Sequence, residues 1–140
     1  NTLLKENTSI KEKIESMSSF SKAKEPGKPT VFLVQENPYI NVLGAADYGD
    51  IVVLFDSGQQ IMFSPQPAIR KLKRKLKDFD DNDYLLMMGD PAAMGISCCV
   101  AAEMNRGKFN ILKWDKKQQR YYPVSVNLNE KGEIDEQDKL

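Results

Sequence analysis

The sequence contains no histidine, and this absence excludes several kinds of active site at once. Ser-His-Asp and Cys-His catalysis both require an imidazole, and most zinc sites use one as a ligand. The twenty basic and twenty acidic residues cancel, so no overall field favours nucleic acid or a membrane surface as a partner. No apolar run reaches the roughly 20 residues that span a membrane. We therefore expect a soluble, unexported protein with no membrane, cofactor or metal partner.

Cysteine is also scarce, and the two cysteines are neighbours, Cys98 and Cys99. Consecutive side chains on a helix diverge by about 100°, so these thiols cannot share a face. We expect both to be small buried residues in a reducing compartment, with a reactive thiol as the alternative. An initiator methionine is missing as well, since the sequence starts Asn1-Thr2. This start leads us to expect a fragment, a cleaved product or part of a longer chain.

The centre of the chain has the pattern of a strand, a tight turn, a helix and a second strand. Tyr84–Met88 contains an unbroken apolar run, which is typical of a strand whose sheet is covered on both faces. Asp90 follows as a helix N-cap, and the proline after it suits the first position of a helix over Pro91–Asn105. Phe109–Lys113 is the next strand. This order predicts a parallel βαβ unit.

The segments before and after this unit extend the same architecture. Thr30–Gln35 and Ile51–Phe55 are two further apolar strands, joined by a loop with one short helical turn. Gln60–Phe63 is a candidate hairpin arm. A Ser-Pro cap then predicts a helix over Pro65–Phe79, and Tyr121–Asn127 is an antiparallel closing strand.

These elements together predict an α/β fold with a mostly parallel, three-layer, Rossmann-like sheet. A C-terminal β-hairpin and an N-terminal helical arm complete it. We expect residues 1–24 to form the amphipathic arm and residues 25–29 to form a linker rich in proline and glycine. The α/β domain is expected over residues 30–128, followed by an acidic tail over residues 129–140.

The N-terminal arm carries a thin apolar stripe at helical spacing, with a helix expected to about Lys22. Asn7 and Ile14 fit the a positions of a paired helix, where an asparagine fixes register. Such a stripe indicates a docking or self-association helix, or else a single amphipathic helix packed on its own domain or a frayed arm. The stripe consists of Leu3, Ile10, Ile14 and Met17.

The predicted helix over residues 65–79 concentrates positive charge on its outer face. Six cations fall within eight residues, a density that resembles a phosphate-binding stripe. The alternative is an ordinary solvated face whose charge is answered by the acidic residues that follow, between Asp78 and Asp83. The candidate nucleic-acid contacts are Arg70, Lys71, Arg74 and Lys77.

Two other groups of residues are candidate sites. Trp114 and Tyr121, with Tyr122 beside them, would lie near the turn of the C-terminal hairpin, as a cover for the sheet end or as a patch for a partner. Asp90 and Asp56 both follow strands, where ligands of open α/β sheets bind. Since the turn at Asp90 has neither a dinucleotide nor a phosphate-loop glycine pattern, helix capping is the favoured role for Asp90.

Several of these motifs also resemble small uncharacterised proteins encoded by tailed bacteriophages, including marine ones. In those proteins an apolar strand leads into GDP, here residues 89–91, and an alanine-rich helix follows. The similar ending is LKWD, here residues 112–115, and YYPV, here residues 121–124. The resemblance covers roughly Thr30 to Leu128. It implies a viral origin and a location in the host cytoplasm or the virion, but it identifies no functional residues.

We weigh three functions on this basis. The favoured one is a non-enzymatic phage module that binds a protein partner or itself through the N-terminal arm, the aromatic hairpin or both. A nucleic-acid-binding protein that uses the basic helix is the second. A small α/β enzyme acting through Asp90 and Asp56 is the third, and the absence of histidine weighs against it.

Overall fold

The computed structural model describes residues 20–61 and 64–132, and these form a five-stranded sheet with helices. Two α-helices and one 3₁₀ helix connect the strands. In chain order the elements are β1 (Thr30–Gln35), the 3₁₀ helix (Leu43–Tyr48), β2 (Asp50–Phe55), α1 (Gln66–Lys75), β3 (Tyr84–Leu86), α2 (Pro91–Met104), β4 (Lys108–Asp115) and β5 (Arg120–Asn127).

The strand order across the sheet is β2-β1-β3-β4-β5. The first four strands are parallel, and β5 runs antiparallel to β4. The α/β class and the C-terminal hairpin are therefore confirmed. The order is that of a doubly wound sheet whose winding reverses between β1 and β3, with an antiparallel strand at one edge. The Rossmann-like description fits the four parallel strands only.

Successive side chains of each strand point to opposite faces of the sheet, and apolar residues lie on both faces. Phe32 and Val34 lie in a cluster with residues of α1 and α2, so both α-helices cover this face. Val31 and Leu33 lie in a second cluster with Ala45 of the 3₁₀ helix. The predicted outer layers are thus unequal, since both α-helices cover one face and the connection between β1 and β2 supplies a 3₁₀ helix of six residues to the other.

Helix α1 begins and ends differently from the prediction. Its N-cap is Pro65 and makes no side-chain capping bond, so Ser64 does not cap the helix as expected. Its last residue is Lys75 rather than Phe79, and Phe79 donates its backbone N–H to the Leu76 carbonyl in a turn, at 3.0 Å. Leu76 and Phe79 are still buried, so the apolar period continues past the helix itself.

The chain before β1 lies against the domain. Phe20 packs on the second cluster, and Ser21 forms a parallel bridge with Val52, with its N–H donating to the Ile51 carbonyl at 2.9 Å. The helix expected to about Lys22 is therefore wrong at its C-terminal end. Pairing with the free edge of β2 satisfies backbone groups that a short isolated helix would leave exposed.

A buried ion pair fixes the same segment. The Lys24 ammonium donates to the carboxylates of Asp83 and Asp80 and to the Asp78 carbonyl, and its side chain is 5% exposed. Asp83 is fully buried and also accepts the N–H of Thr30 at 3.0 Å. Three acceptors satisfy the three ammonium protons, so the loop before β3 holds the chain that leads into β1.

Smaller differences concern the strand ends and the segments outside the described ranges. β3 ends at Leu86 rather than Met88, whereas β4 and β5 are longer than expected. Gln60 and Ile61 lie outside any strand, so the hairpin arm expected there is absent at these positions, and residues 62–63 lie outside the described ranges. No helix in the described ranges is long and apolar enough to cross a membrane.

Candidate functional site

The early end of β3 opens the sheet at its carboxyl edge. Leu86 pairs with Leu33 of β1 on one side and Leu112 of β4 on the other. β3 stops there, while β1 continues to Gln35 and β4 to Asp115. The two neighbouring strands therefore extend past a position that no strand fills.

An apolar groove lies beside the end of β3, and we call it the carboxyl-edge groove. Its volume is about 340 Å³, near the lower limit of ligand pockets in proteins. Met87 and Met88, which leave the sheet after β3, contribute flexible and polarizable walls that adapt to an occupant. The groove is lined by Ile40, Asn41, Leu86, Met87, Met88, Trp114 and Tyr121.

The aromatic hairpin forms one side of the groove. Trp114 and Tyr121 are cross-strand partners, and their rings meet edge to face with centroids 4.9 Å apart. Tyr121 is 8% exposed, and its backbone carbonyl accepts a hydrogen bond from the Tyr48 hydroxyl at 3.0 Å. Burial raises the pKa of the Tyr121 side chain. Trp114 is 46% exposed. Tyr121 is therefore the fixed part of the pair, and Trp114 presents its ring to solvent.

Exposed apolar side chains continue around the groove. Ile40 is 47% exposed and Leu43 is 40% exposed, and both come from the chain between β1 and β2. Such residues are common singly on a surface, but Ile40 lines the apolar groove together with the exposed Trp114. Two exposed apolar side chains therefore border the carboxyl-edge groove.

The two carboxylates proposed as catalytic have different surroundings. Asp90 is the N-cap of α2: one oxygen accepts the Ala92 N–H at 3.4 Å, and the other accepts the Ile61 N–H at 3.1 Å. Both oxygens are therefore used by backbone donors, which confirms the predicted capping role. The described hydrogen bonds of Asp56 are made by its backbone groups: its N–H donates to the Gln59 side-chain oxygen at 2.9 Å, and its carbonyl accepts the Gln35 amide at 3.1 Å.

Gln35 connects these two turns, and the sequence pattern did not single it out. Its side-chain oxygen accepts the Asp90 N–H at 2.7 Å, and its amide donates to the Asp56 carbonyl at 3.1 Å. Gln35 is 6% exposed and ends an apolar strand. One polar residue at the end of an apolar run was the available signal, but its partners become neighbours only in the folded sheet.

The basic residues of α1 and of the turn after it lie on the opposite face of the sheet from the groove. Arg70, Arg74 and Lys77 are exposed. Lys71 is partly buried, with its ammonium 5.0 Å from the centre of the Phe55 ring. The predicted nucleic-acid contacts thus divide into three solvent-facing cations and one that packs on the domain.

The remaining candidates are the two cysteines, the N-terminal stripe and groups able to bind a metal. Cys98 is half-buried and Cys99 exposed, both as free thiols, so the expectation that both are buried is wrong for Cys99. Burial and the neighbouring Cys99 raise the pKa of the Cys98 thiol.

The stripe residues Leu3, Ile10, Ile14 and Met17 lie outside the described residues. Within the described ranges no cluster of three or more metal-ligating side chains occurs.

Fold and site together define a small α/β domain with an apolar groove at the carboxyl edge of its sheet. A family model described as phage Pam3 gp32-like protein matches residues 29–128, most of the chain. The chain therefore belongs to the phage Pam3 gp32-like protein family, and its predicted resemblance to small phage proteins is confirmed. No curated protein and no solved structure matches it.

Proposed function

We propose that this phage protein is a non-enzymatic interaction module whose carboxyl-edge groove binds an apolar protein segment. The single observation that carries the proposal is the groove itself, with an exposed Trp114 beside it. Aromatic residues and methionine are enriched at the cores of protein interfaces, and tryptophan in particular among the residues that dominate binding. The family supports a role in the host cytoplasm or the virion.

The proposed occupant is the N-terminal stripe of a second copy of the chain. Leu3, Ile10, Ile14 and Met17 are too few to stabilise an isolated helix in water, so the stripe needs an apolar surface. The groove is an apolar surface that needs an occupant. One chain thus supplies both halves of a self-complementary interface, as a twofold dimer requires.

The direction of the chain at Ser21 favours a second copy over the same copy. Because the bridge between Ser21 and Val52 is parallel, Phe20 lies on the side of Ser21 that faces the amino ends of the strands. The groove lies at the carboxyl ends, past Leu86. The described start of the segment therefore leads away from its own groove.

Light scattering on the full chain across a concentration series tests this proposal. We expect the parent to approach twice the 15.9 kDa mass of one chain. Trp114→Ala should weaken association because it removes the exposed wall of the groove, and Ile10→Asp should abolish it because a charge would enter an apolar site.

Leu128→Asp is the matched control, since Leu128 is 61% exposed and does not line the groove. It should associate like the parent, and circular dichroism should show the same fold for every variant. A monomeric parent, or a Trp114→Ala variant that dimerises as tightly as the parent, contradicts the proposal.

A further inference from the structure

We infer that the solvent-facing side of α1 is a binding site for the phosphate backbone of nucleic acid. The site consists of Arg70 and Arg74, which lie one turn apart on α1, and of Lys77, which lies in the turn after the helix ends at Lys75. All three are exposed. At 1.5 Å per residue the Cα atoms of Arg70 and Arg74 are roughly 6 Å apart along the helix axis, and Lys77 extends the positive surface beyond the helix end.

Two of the four acidic residues that follow α1 have a cation partner outside the basic face. Asp80 and Asp83 both accept hydrogen bonds from the Lys24 ammonium. Asp78 and Asp81 are exposed and keep their charge. The fold therefore removes half of the acidic charge that the sequence places beside the basic run.

The cations of α1 also crowd one another. Arg70 and Arg74, and Lys71 and Lys75, are two like-charged pairs at i, i+4 within α1, and such pairs are destabilising. Within the described ranges one cation of the helix forms an ion pair, Lys73 with Glu103 at 3.5 Å. An anionic ligand would relieve this repulsion.

The inner cations pack on the domain and keep the helix in place. Lys75 donates to the Val53 carbonyl at 2.7 Å, and Lys71 lies over the Phe55 ring. Burial lowers the pKa of Lys75, and the charges of Lys71 and Arg74 lower it further. The positive face is thus attached to a fixed helix, and its outer cations remain available.

Nucleic acid fits this face better than an acidic protein does. The apolar side of α1 is turned inward, with Leu72 fully buried, so the outer face offers no apolar centre of the kind that protein interfaces bury. Nucleic-acid interfaces are instead polar and positively charged. Binding through backbone phosphates alone carries no sequence information, and it weakens steeply with salt.

Fluorescence anisotropy of a labelled 20-base-pair DNA with the full chain, from 50 to 200 mM salt, tests the inference. We expect dissociation constants of about 10⁻⁴–10⁻⁶ M that are alike for two unrelated sequences. A variant with Arg70→Gln, Arg74→Gln and Lys77→Gln should reduce the slope of log K against log salt by roughly 2–3. Glutamine is a good helix former, so the helix should persist.

The matched control replaces three exposed lysines on other parts of the surface, Lys108→Gln, Lys116→Gln and Lys117→Gln. It changes the net charge equally and should keep the slope of the parent. The inference is overturned if both triple variants lose the same amount of salt dependence and affinity, or if the parent does not bind DNA at 50 mM salt. A polyglutamate peptide serves as the competing ligand. If it binds as tightly as DNA and the Arg70, Arg74 and Lys77 variant no longer binds it, the inference is overturned in favour of an acidic protein. Because the groove lies on the other face, these results are independent of the self-association test.

Discussion

At the scale of single residues, the pair Lys24 and Asp83 shows how a charged group is accommodated in a small core. Burial lowers the pKa of Lys24, but its hydrogen bonds to Asp83 and Asp80 and their charges outweigh this effect, so the pKa is raised. Burial raises the pKa of Asp83, and the Lys24 hydrogen bond opposes that rise. Each charge is tolerated because the other is present.

Lys24→Met should therefore destabilise the domain by about 3–5 kcal/mol, the usual cost of removing one partner of a buried ion pair. The raised pKa means that the contribution of Lys24 is fully present below the ordinary lysine value, about 10.4, and is lost as pH rises through the higher folded value. Parent and variant should thus converge in stability in strongly alkaline solution. Urea unfolding at a series of pH values measures both effects.

Lys28→Met is the control for this prediction. Lys28 forms an ion pair with Glu25 at 2.7 Å, but both side chains are 60% exposed. Its unfolding midpoint should stay close to that of the parent. A Lys24→Met variant as stable as Lys28→Met at neutral pH would show that the buried pair does not anchor the segment.

At the scale of elements, the turn from β3 into α2 requires a glycine at position 89. Gly89 has a φ of 108°, and a Cβ atom there would lie 2.3 Å from the Gln35 Cβ. Only glycine accommodates both this backbone and this close approach. The turn places Asp90 at the N-cap of α2.

Gly89→Ala should lower the free energy of unfolding by at least about 1–3 kcal/mol, because strained backbone adds to the clash with Gln35. Gly95→Ala is the matched control within the following helix, where an added Cβ meets nothing within 4 Å. It should stabilise by roughly 0.5–1 kcal/mol. Urea titrations of both variants measure the difference, and equal effects of the two substitutions would contradict this account of the turn.

At the scale of the whole molecule, the boundary between the N-terminal arm and the domain decides how many residues can be deleted without destabilising the domain. The structure describes contacts of the segment with the domain from Phe20 onward, through the β2 edge and Lys24. The sequence predicts an arm over residues 1–24 and a linker over residues 25–29, so it places the end of the arm after residue 24. The contacts of Phe20–Lys24 indicate that the last residues of that arm contribute to the fold of the domain.

Two truncations should separate these roles. Deleting residues 1–19 should leave the domain folded at nearly the parent's melting temperature but monomeric, because only the apolar stripe is lost. Deleting residues 1–24 should also lower the melting temperature by roughly 10–30 °C, because Asp83 stays buried without its cation at a cost of about 3–5 kcal/mol. Thermal unfolding and light scattering measure the two outcomes, and identical melting temperatures for the two truncations would place the domain boundary after residue 24.

The sequence by itself determined the class of the fold and most of its elements. Apolar runs predict β1, β2 and β3, and the pairing of Asp90 with the following proline predicts the start of α2, because these signals are local and depend on a few neighbouring residues. The GDP turn and the YYPV ending were sufficient to indicate a phage family. The basic face of α1 is equally local, since one helix carries it.

Only the tertiary structure decided the groove, the buried ion pair and the covering of the sheet. The groove depends on β3 ending before its neighbours, and Met87 and Met88 continue the apolar run with no signal of that end. Lys24 and Asp83 are 59 residues apart, and nothing in either local sequence identifies the other as its partner. Such features arise when distant strands come into register, because register sets which backbone groups are paired and which side chains share a cavity.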